Sequence, residues 1–476
     1  MFSGSLPLAT YHRAQSLGAG TYGSVMTVYN SDGEEFALKL FFDDDDDNSD
    51  EGYSNVDSGT DLGALREISI LRILRHENKH ENIIEMADVK MPAIDEIESG
   101  EYDDYGGGAG AGTSGYLGMA MPVYYDGNLA DAIDKGVLKS SRQKKVMVAH
   151  GLLSAVAFLH DNGVIHRDIK ADNVMISYKS NGEINPILID FSLAKFFDCT
   201  VYNGKTDKLD QEMKSSDFWK GNTHTGQIGT ITYRAPEIIS QKAYGLKSDL
   251  WSVGVVLLEM ITNHTLTATK DKEAAKMIEE MLESLPDNQP FPTLIRGLLQ
   301  VDPKKRFSAR AALDSPLFQK FGLLPPKLQL LDLELALPLD YSDEEEENHS
   351  GNSSDWKPKS KRNNQMLKRK ETIMRLCSFL GYKHPLTPQA AFTYCQQMYQ
   401  LDDTLDDLDE SQTMHDCVIL AYKFFEKELI NLEELEEETF GPFKNWSLEE
   451  YRDNEASIWM IMDYCLYPRT LINWDL

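Results

Sequence analysis

Asp168, Lys170, Asn173 and Asp190 are the residues whose types and spacing point most directly to chemistry. The first three lie in Val164-Ile165-His166-Arg167-Asp168-Ile169-Lys170-Ala171-Asp172-Asn173-Val174-Met175-Ile176. Asp190-Phe191 follows at the end of the apolar run Ile187-Leu188-Ile189. In the pattern H-R-D-x-K-x-x-N the carboxylate takes the proton of a hydroxyl and the Asn holds a magnesium ion. A carboxylate after the next strand is a candidate second ligand for such a metal.

Such groups need a scaffold, and the chain offers one on both sides. Arg142–His160 is largely apolar and reads as a buried helix that delivers the loop. Upstream, Leu17-Gly18-Ala19-Gly20-Thr21-Tyr22-Gly23-Ser24-Val25 matches G-x-G-x-x-G-x-V. Its glycines let the backbone lie close over triphosphate oxygens, where a Cβ would clash. Dinucleotide-binding folds and ordinary glycine turns share this spacing, but the alternation through Met26–Tyr29 predicts a strand, not the helix a dinucleotide fold needs. Phe36-Ala37-Leu38-Lys39-Leu40 reads as another strand, and a lysine in so apolar a run is costly to bury without an anion. Leu62, Leu65, Ile68, Leu71 and Leu74 recur at helical spacing, predicting a helix over 62–74 that carries Glu67. Downstream stands Gly229-Thr230-Ile231-Thr232-Tyr233-Arg234-Ala235-Pro236-Glu237.

Together these stretches resemble the eukaryotic protein kinase family over residues 11–321. The resemblance implies an α+β fold of two lobes, β-rich then helical, with ATP and magnesium as cofactors and proteins as substrates. It implies that Asp168 takes the acceptor proton, Lys170 steadies the γ-phosphoryl group, and Asn173 and Asp190 hold magnesium. It makes Glu67 the partner of Lys39, and Leu17, Gly18, Gly20, Gly23, Val25 and Ala37 part of the nucleotide site. By ungapped comparison Met121 falls at the gatekeeper position and Pro122-Val123-Tyr124 at the hinge that holds adenine. Pro122 has no N–H, so the adenine contacts would come from its carbonyl and from Val123. Lys170 and Thr230 resemble Ser/Thr rather than Tyr kinases. Glu237 would pair with Arg306, and Asp249 would anchor the catalytic loop. One departure stands out: Ser192 occupies the place of the family's glycine after Asp-Phe.

Ala64-Leu65-Arg66-Glu67-Ile68-Ser69-Ile70-Leu71 resembles the PSTAIRE-type helix of cyclin-dependent kinases. In that group Thr21-Tyr22 matches an inhibitory phosphorylation pair, where added phosphate would repel ATP. Thr225 matches an activating position whose phosphate Arg66, Arg167 and Lys195 would grip. Upstream activating and inhibitory kinases are then implied partners; the plain alternative for Thr225 is an ordinary loop hydroxyl. Gly229 and Thr232 replace residues that shape the pocket for proline after the target Ser/Thr in these kinases, which weakens the expectation of proline-directed specificity.

The 476 residues suffice for two to four packed units. A formal charge of −30 is concentrated in blocks such as Asp43 to Asp47 and Asp343 to Glu347. The acidic, Gly/Ser-rich stretch about 42–61, the stretch 92–115 with its Gly-rich run and the polar stretch 198–222 are expected to be disordered insertions, and acidity argues against direct nucleic-acid binding. Five cysteines without a C-x-x-C pair fit a reduced setting, nuclear or cytoplasmic. No run is apolar enough to predict secretion or a membrane span.

Residues 322–365 read as a charged linker whose basic cluster from Lys357 through Lys370 is either a nuclear-localisation signal or plain solvated chain. Beyond it, helices are predicted over roughly 370–381, 388–401, 411–430, 432–438 and 447–467. The third is apolar nearly all round, interrupted by Lys423. Residues 366–476 thus resemble a cyclin box, an all-α domain, with Lys423 and Glu455 at the positions that contact a kinase beside its PSTAIRE helix. The linker, of about 45 residues at ~5–6 Å × √n, would allow such a domain to dock in cis. Two rivals stay open: a pseudokinase scaffold, suggested by Ser192 and the insertions, and a C-terminal docking module for other proteins. The plain alternative to the cyclin box itself is an unrelated helical tail whose Lys423 extends toward water.

Overall fold

The computed structural model describes residues 12–20, 23–30, 32–41, 62–75, 79–90, 117–196, 229–240, 245–287, 289–327, 359–382, 386–401, 410–425, 432–436, 442–444 and 446–462. The chain divides into two compact units, residues 1–42 with 66–331, and residues 43–65 with 332–476. The three expected insertions lie outside the described residues.

The first unit opens with β1 (His12–Gly20), β2 (Gly23–Tyr29) and β3 (Glu35–Leu40), then helix α1 (Leu62–Arg75), which belongs to it from Arg66 onward, β4 (Asp88–Lys90) and β5 (Gly118–Met121). The five strands form one antiparallel sheet in the order β1-β2-β3-β5-β4. Strand side chains alternate between faces, so register decides what each face carries. Met26, Val28, Leu38, Leu40 and Ala120 form the apolar core of one face, with Phe36 and Ala87 packed against it. On the other face Val25, Lys39 and Met119 share one row and Thr27, Ala37 and Met121 the next. The predicted nucleotide-site residues Val25, Ala37, Lys39 and Met121 therefore stand together on one side of the sheet.

The helical part comprises α2 (Leu129–Asp134), α3 (Arg142–Asp161), α4 (Pro236–Ile239), α5 (Lys247–Thr262), α6 (Asp271–Ser284), α7 (Pro290–Leu298), α8 (Ala309–Leu313) and α9 (Pro316–Gln319). Ser141 caps α3 by accepting from the backbone N–H of Lys144. Helices α3 and α5 are apolar on most sides and correspondingly buried. Between them in the chain run four short strands in two ladders: β6 (Val164–Ile165) pairs with β9 (Lys195–Phe196), and β7 (Val174–Tyr178) forms a hairpin with β8 (Ile184–Leu188).

The second unit holds α10 (Lys359–Phe379), α11 (Leu386–Leu401), α12 (Glu410–Phe425), α13 (Leu432–Glu436) and α14 (Leu448–Ile461). Helix α12 is buried from Gln412 to Tyr422 and packs against α10, α11 and α14. Its central place follows from its near-continuous apolar surface. Helix α10 begins at Lys359, inside the stretch expected to be linker. Lys, Arg, Gln, Met and Leu are all good helix formers, so local preference carries the helix through the basic cluster. Arg369 within it lies 3.8 Å from the centroid of the Tyr399 ring and pairs with Glu410 at 2.6 Å.

Candidate active site

Lys39 Nζ lies 2.7 Å from Glu67 Oε2 and 3.2 Å from Asp190 Oδ1. The other oxygen of Glu67 accepts the backbone N–H of Phe191 at 3.2 Å. A closed ring results, running from strand β3 through helix α1 to the chain after β8 and back. The alternation of β3 points Lys39 toward the ring, and the helical period of α1 buries Glu67 beside Ile68 and Leu71. Burial alone would lower the pKa of Lys39, but the adjoining carboxylates of Glu67 and Asp190 carry it above the ordinary lysine range. Burial likewise opposes ionisation of Asp190. The Lys39 ammonium and the Ser192 hydroxyl outweigh it and hold the carboxyl below the usual range. Lys39 and Asp190 are therefore a charged pair.

The second cluster forms around Asp168. Its Oδ2 lies 3.0 Å from Lys170 Nζ and accepts Asn173 Nδ2 at 3.1 Å, while Oδ1 accepts the backbone N–H of Thr230 at 3.2 Å and its hydroxyl at 3.1 Å. Lys170 also donates to Thr230 Oγ1 at 3.3 Å. Two segments sixty residues apart thus meet on one carboxylate.

Deeper supports hold the loop. Asp249, in the first turn of α5, accepts the backbone N–H groups of His166 and Arg167, each at 2.9 Å, and lies 2.9 Å from His160 Nε2. Burial would raise its pKa, but the His160 contact and the backbone N–H of His166 keep it low. His166 donates from Nε2 to the Ile189 carbonyl at 3.1 Å and accepts the Asp168 N–H on Nδ1 at 3.3 Å, a neutral tautomer consistent with its burial-lowered pKa. Glu237 and Arg306 form a two-pronged pair at 2.7 and 2.9 Å.

Asn173 Oδ1 and Asp190 Oδ2 accept no hydrogen bond among the described residues, since Asn173 donates from Nδ2 and Asp190 accepts on Oδ1. Two hard oxygens of this kind suit magnesium, which keeps waters and takes the rest of its ligands from substrate phosphates. Among the described residues no cluster of three or more His, Cys, Asp or Glu offers an all-protein cage instead.

Of the remaining expected residues, Met121 ends β5 opposite Ala37 and Val123 follows it half-buried. The backbone of Gly18, Gly20 and Gly23 lies in the ladder of β1 and β2, and Leu17 sits at the register shift between Ser16 and Gly18. Thr21, Tyr22 and Thr225 lie outside the described residues. Arg66 is half-buried on α1, Arg167 donates to the Leu193 carbonyl at 2.6 Å, and Lys195 pairs with Ile165 across the β6–β9 ladder. In the other unit, Lys423 Nζ lies 2.6 Å from Glu455 Oε1, which also accepts the Tyr451 hydroxyl at 2.6 Å.

Sequence reasoning missed three contributors. The Ser192 hydroxyl donates to Asp190 Oδ1 at 2.8 Å, although Ser192 reads in sequence only as a departure. Gly229 takes φ 82°, and a Cβ there would come 2.8 Å from the Arg167 carbonyl. Arg234 secures that turn by donating to the Gly229 carbonyl at 2.8 Å. Of the three, only Gly229 carried a signal in its residue type, since glycine suits a positive φ.

The family model described as protein kinase domain matches residues 11–318. The chain is similar to serine/threonine-protein kinase pakA of Talaromyces marneffei, 26% identical over 65% of this chain and 40% of that protein. It is similar to serine/threonine-protein kinase ste20 of Aspergillus oryzae, 26% identical over 65% of this chain and 30% of that protein. It also resembles serine/threonine-protein kinase DCLK3 of Mus musculus, 28% identical over 44% of this chain and 25% of that protein. The chain thus spans a quarter to two-fifths of the length of these relatives. With its match extending over well more than half of the residues, the chain belongs to the protein kinase family.

Proposed function

We propose that the chain is a Ser/Thr protein kinase that transfers the γ-phosphoryl group of ATP to protein hydroxyls. The observation that carries this reading is the joint assembly of the Lys39–Glu67–Asp190 ring and the Asp168–Lys170–Thr230 cluster. A nucleotide-binding scaffold has no need of both. Lys39, aligned by Glu67, would orient the phosphates. Asp168 would orient and deprotonate the acceptor hydroxyl, and Lys170 would offset the charge that builds on the transferred group. Asn173 and Asp190 would hold magnesium, which supplies charge neutralisation when bound. The names of the relatives, all serine/threonine-protein kinases, agree with this acceptor class. Phosphorylation of a Ser-containing peptide by the full chain, beside Asp168→Asn, tests the reading. Transfer should fall by about 10²–10⁴-fold in the variant, and equal transfer by both proteins would sink it.

A second reading concerns the helical unit. The Lys423–Glu455 pair and the central position of α12 support a cyclin-like domain that activates the kinase in cis, within a cyclin-dependent type of kinase. The relatives' names do not point to that group, so the reading rests on the pair and on the resemblance of α1. Deleting residues 359–476, a boundary set by the start of α10, should cut transfer severalfold under this reading. Undiminished transfer by the shortened chain would leave the unit as a docking module.

A further inference from the structure

Asp190 holds a left-handed backbone, φ 62°, which a side chain other than glycine takes only when neighbours hold it there. Ser192, two residues on, is not among the described positive-φ residues, so its side chain carries no such strain. Its side chain is buried, 4% exposed, and its hydroxyl donates to Asp190 Oδ1 at 2.8 Å. The same oxygen takes Lys39 Nζ at 3.2 Å. One oxygen of the carboxylate is thus engaged by two donors, and Oδ2 by none among the described residues. Glycine in place of Ser192 has no hydroxyl and leaves Lys39 as the sole side-chain donor to that oxygen.

We propose that Ser192 is a positioning residue that locks Asp190 with Oδ2 turned toward the divalent cation accompanying the nucleotide. The proposal rests on the kinase reading above and deepens it. Rotation of Asp190 about χ1 or χ2 would break the Ser192 bond, so the hydroxyl narrows the carboxylate to one orientation. Metal affinity then gains from a ligand already in place, because less conformational freedom is lost on binding. Serine here reads as a device for cation capture and not as a sign of lost chemistry.

The test uses the full chain and a fluorescent ADP analogue, titrated with magnesium chloride and, separately, in EDTA. Ser192→Ala should need about tenfold more magnesium for half-maximal binding, the scale set by losing a hydrogen bond to a charged group. Its affinity in EDTA should stay within about twofold of wild type, because the nucleotide itself does not touch Ser192 in this account. Ser192→Thr keeps the hydroxyl and should restore the wild-type magnesium dependence. Ser192→Gly provides a second hydroxyl-free variant should the alanine protein fold poorly. A Ser192→Ala protein that titrates with magnesium as wild type does, while wild type still phosphorylates peptide, overturns the proposal and leaves the kinase reading standing. Equal loss of affinity in magnesium and in EDTA also overturns it, as a general structural effect. Wild-type protein that binds no nucleotide in either buffer overturns both.

Discussion

Asp249 holds Arg167 in a left-handed backbone, φ 69°, by accepting its N–H at 2.9 Å from the first turn of α5. The loop that presents Asp168 is therefore shaped by a carboxylate eighty-two residues away in sequence. Because Asp249 also accepts the His166 N–H on its second oxygen, both oxygens are used. Asp249→Asn would set an amide nitrogen against one of these donors. We expect peptide phosphorylation to fall by about 10²-fold, the cost of displacing reacting groups by around an ångström. Steady-state transfer assays check it, with nucleotide binding by the same protein retained.

Gly229 should tolerate no side chain. Its φ of 82° and the 2.8 Å approach of a Cβ to the Arg167 carbonyl combine strain with collision. Relief must move Thr230, the next residue, off Asp168. Gly229→Ala is expected to lower transfer at least about tenfold with a stability loss of only ~1–2 kcal/mol. Thermal denaturation beside the transfer assay separates the two, and full activity in the variant contradicts the proposed role of the turn.

The Glu237–Arg306 pair should be a large single contributor to the stability of the helical lobe. Arg306 is 2% exposed, donates as well to the carbonyls of Lys247 and Gln300, and lies 5.2 Å from the Trp251 ring centroid. Removing the carboxylate strands a guanidinium in the interior, so Glu237→Ala is expected to cost about 3–5 kcal/mol. Urea unfolding of the two proteins measures it; a loss below about 1 kcal/mol contradicts the expectation.

Glu259 makes the stability pH-dependent. Burial pushes its pKa up to about 8, against the bonds it accepts from the Leu266 N–H at 2.7 Å and the Tyr233 hydroxyl at 2.9 Å. The folded state thus binds this proton more tightly than the unfolded chain, whose value is near 4.5. The stability contributed is complete below pH 4.5 and is lost as pH rises through about 8. Glu259→Gln, which keeps an acceptor for Leu266 and cannot ionise, should gain on wild type by at least about 1 kcal/mol between pH 5 and 8.5. Melting temperatures of both proteins at these pH values test the sign, and a constant difference overturns the assignment.

Features that depend on adjacent residues were legible in the sequence. Alternation in Phe36–Leu40 made a strand and set Lys39 on the face opposite the apolar core. The 3.6 period from Leu62 to Leu74 made a helix and buried Glu67. The stretch carrying Asp168, Lys170 and Asn173 was legible as a loop through the family pattern it matches and its place between an apolar helix and a hydrophobic strand. Helix ends were less legible, since α10 begins at Lys359 by preferences that charged linkers share.

What the chain alone left undecided are contacts made across long separations. Which oxygen of Asp190 meets Lys39, and that Ser192 meets the same one, depends on the packing of α1 against the segment after β8. The meeting of Thr230 with Asp168 depends on Gly229 and Arg234 turning the chain back toward the loop. The pKa of Glu259 depends on water excluded by α5 and its neighbours, and a glutamate in an apolar helix looks the same in sequence whether ionised or not. Local periodicity determined where each group lies along the chain. Only tertiary packing decided which atoms face one another, because hydrogen bonds and burial act over a few ångströms of space whatever the distance in sequence.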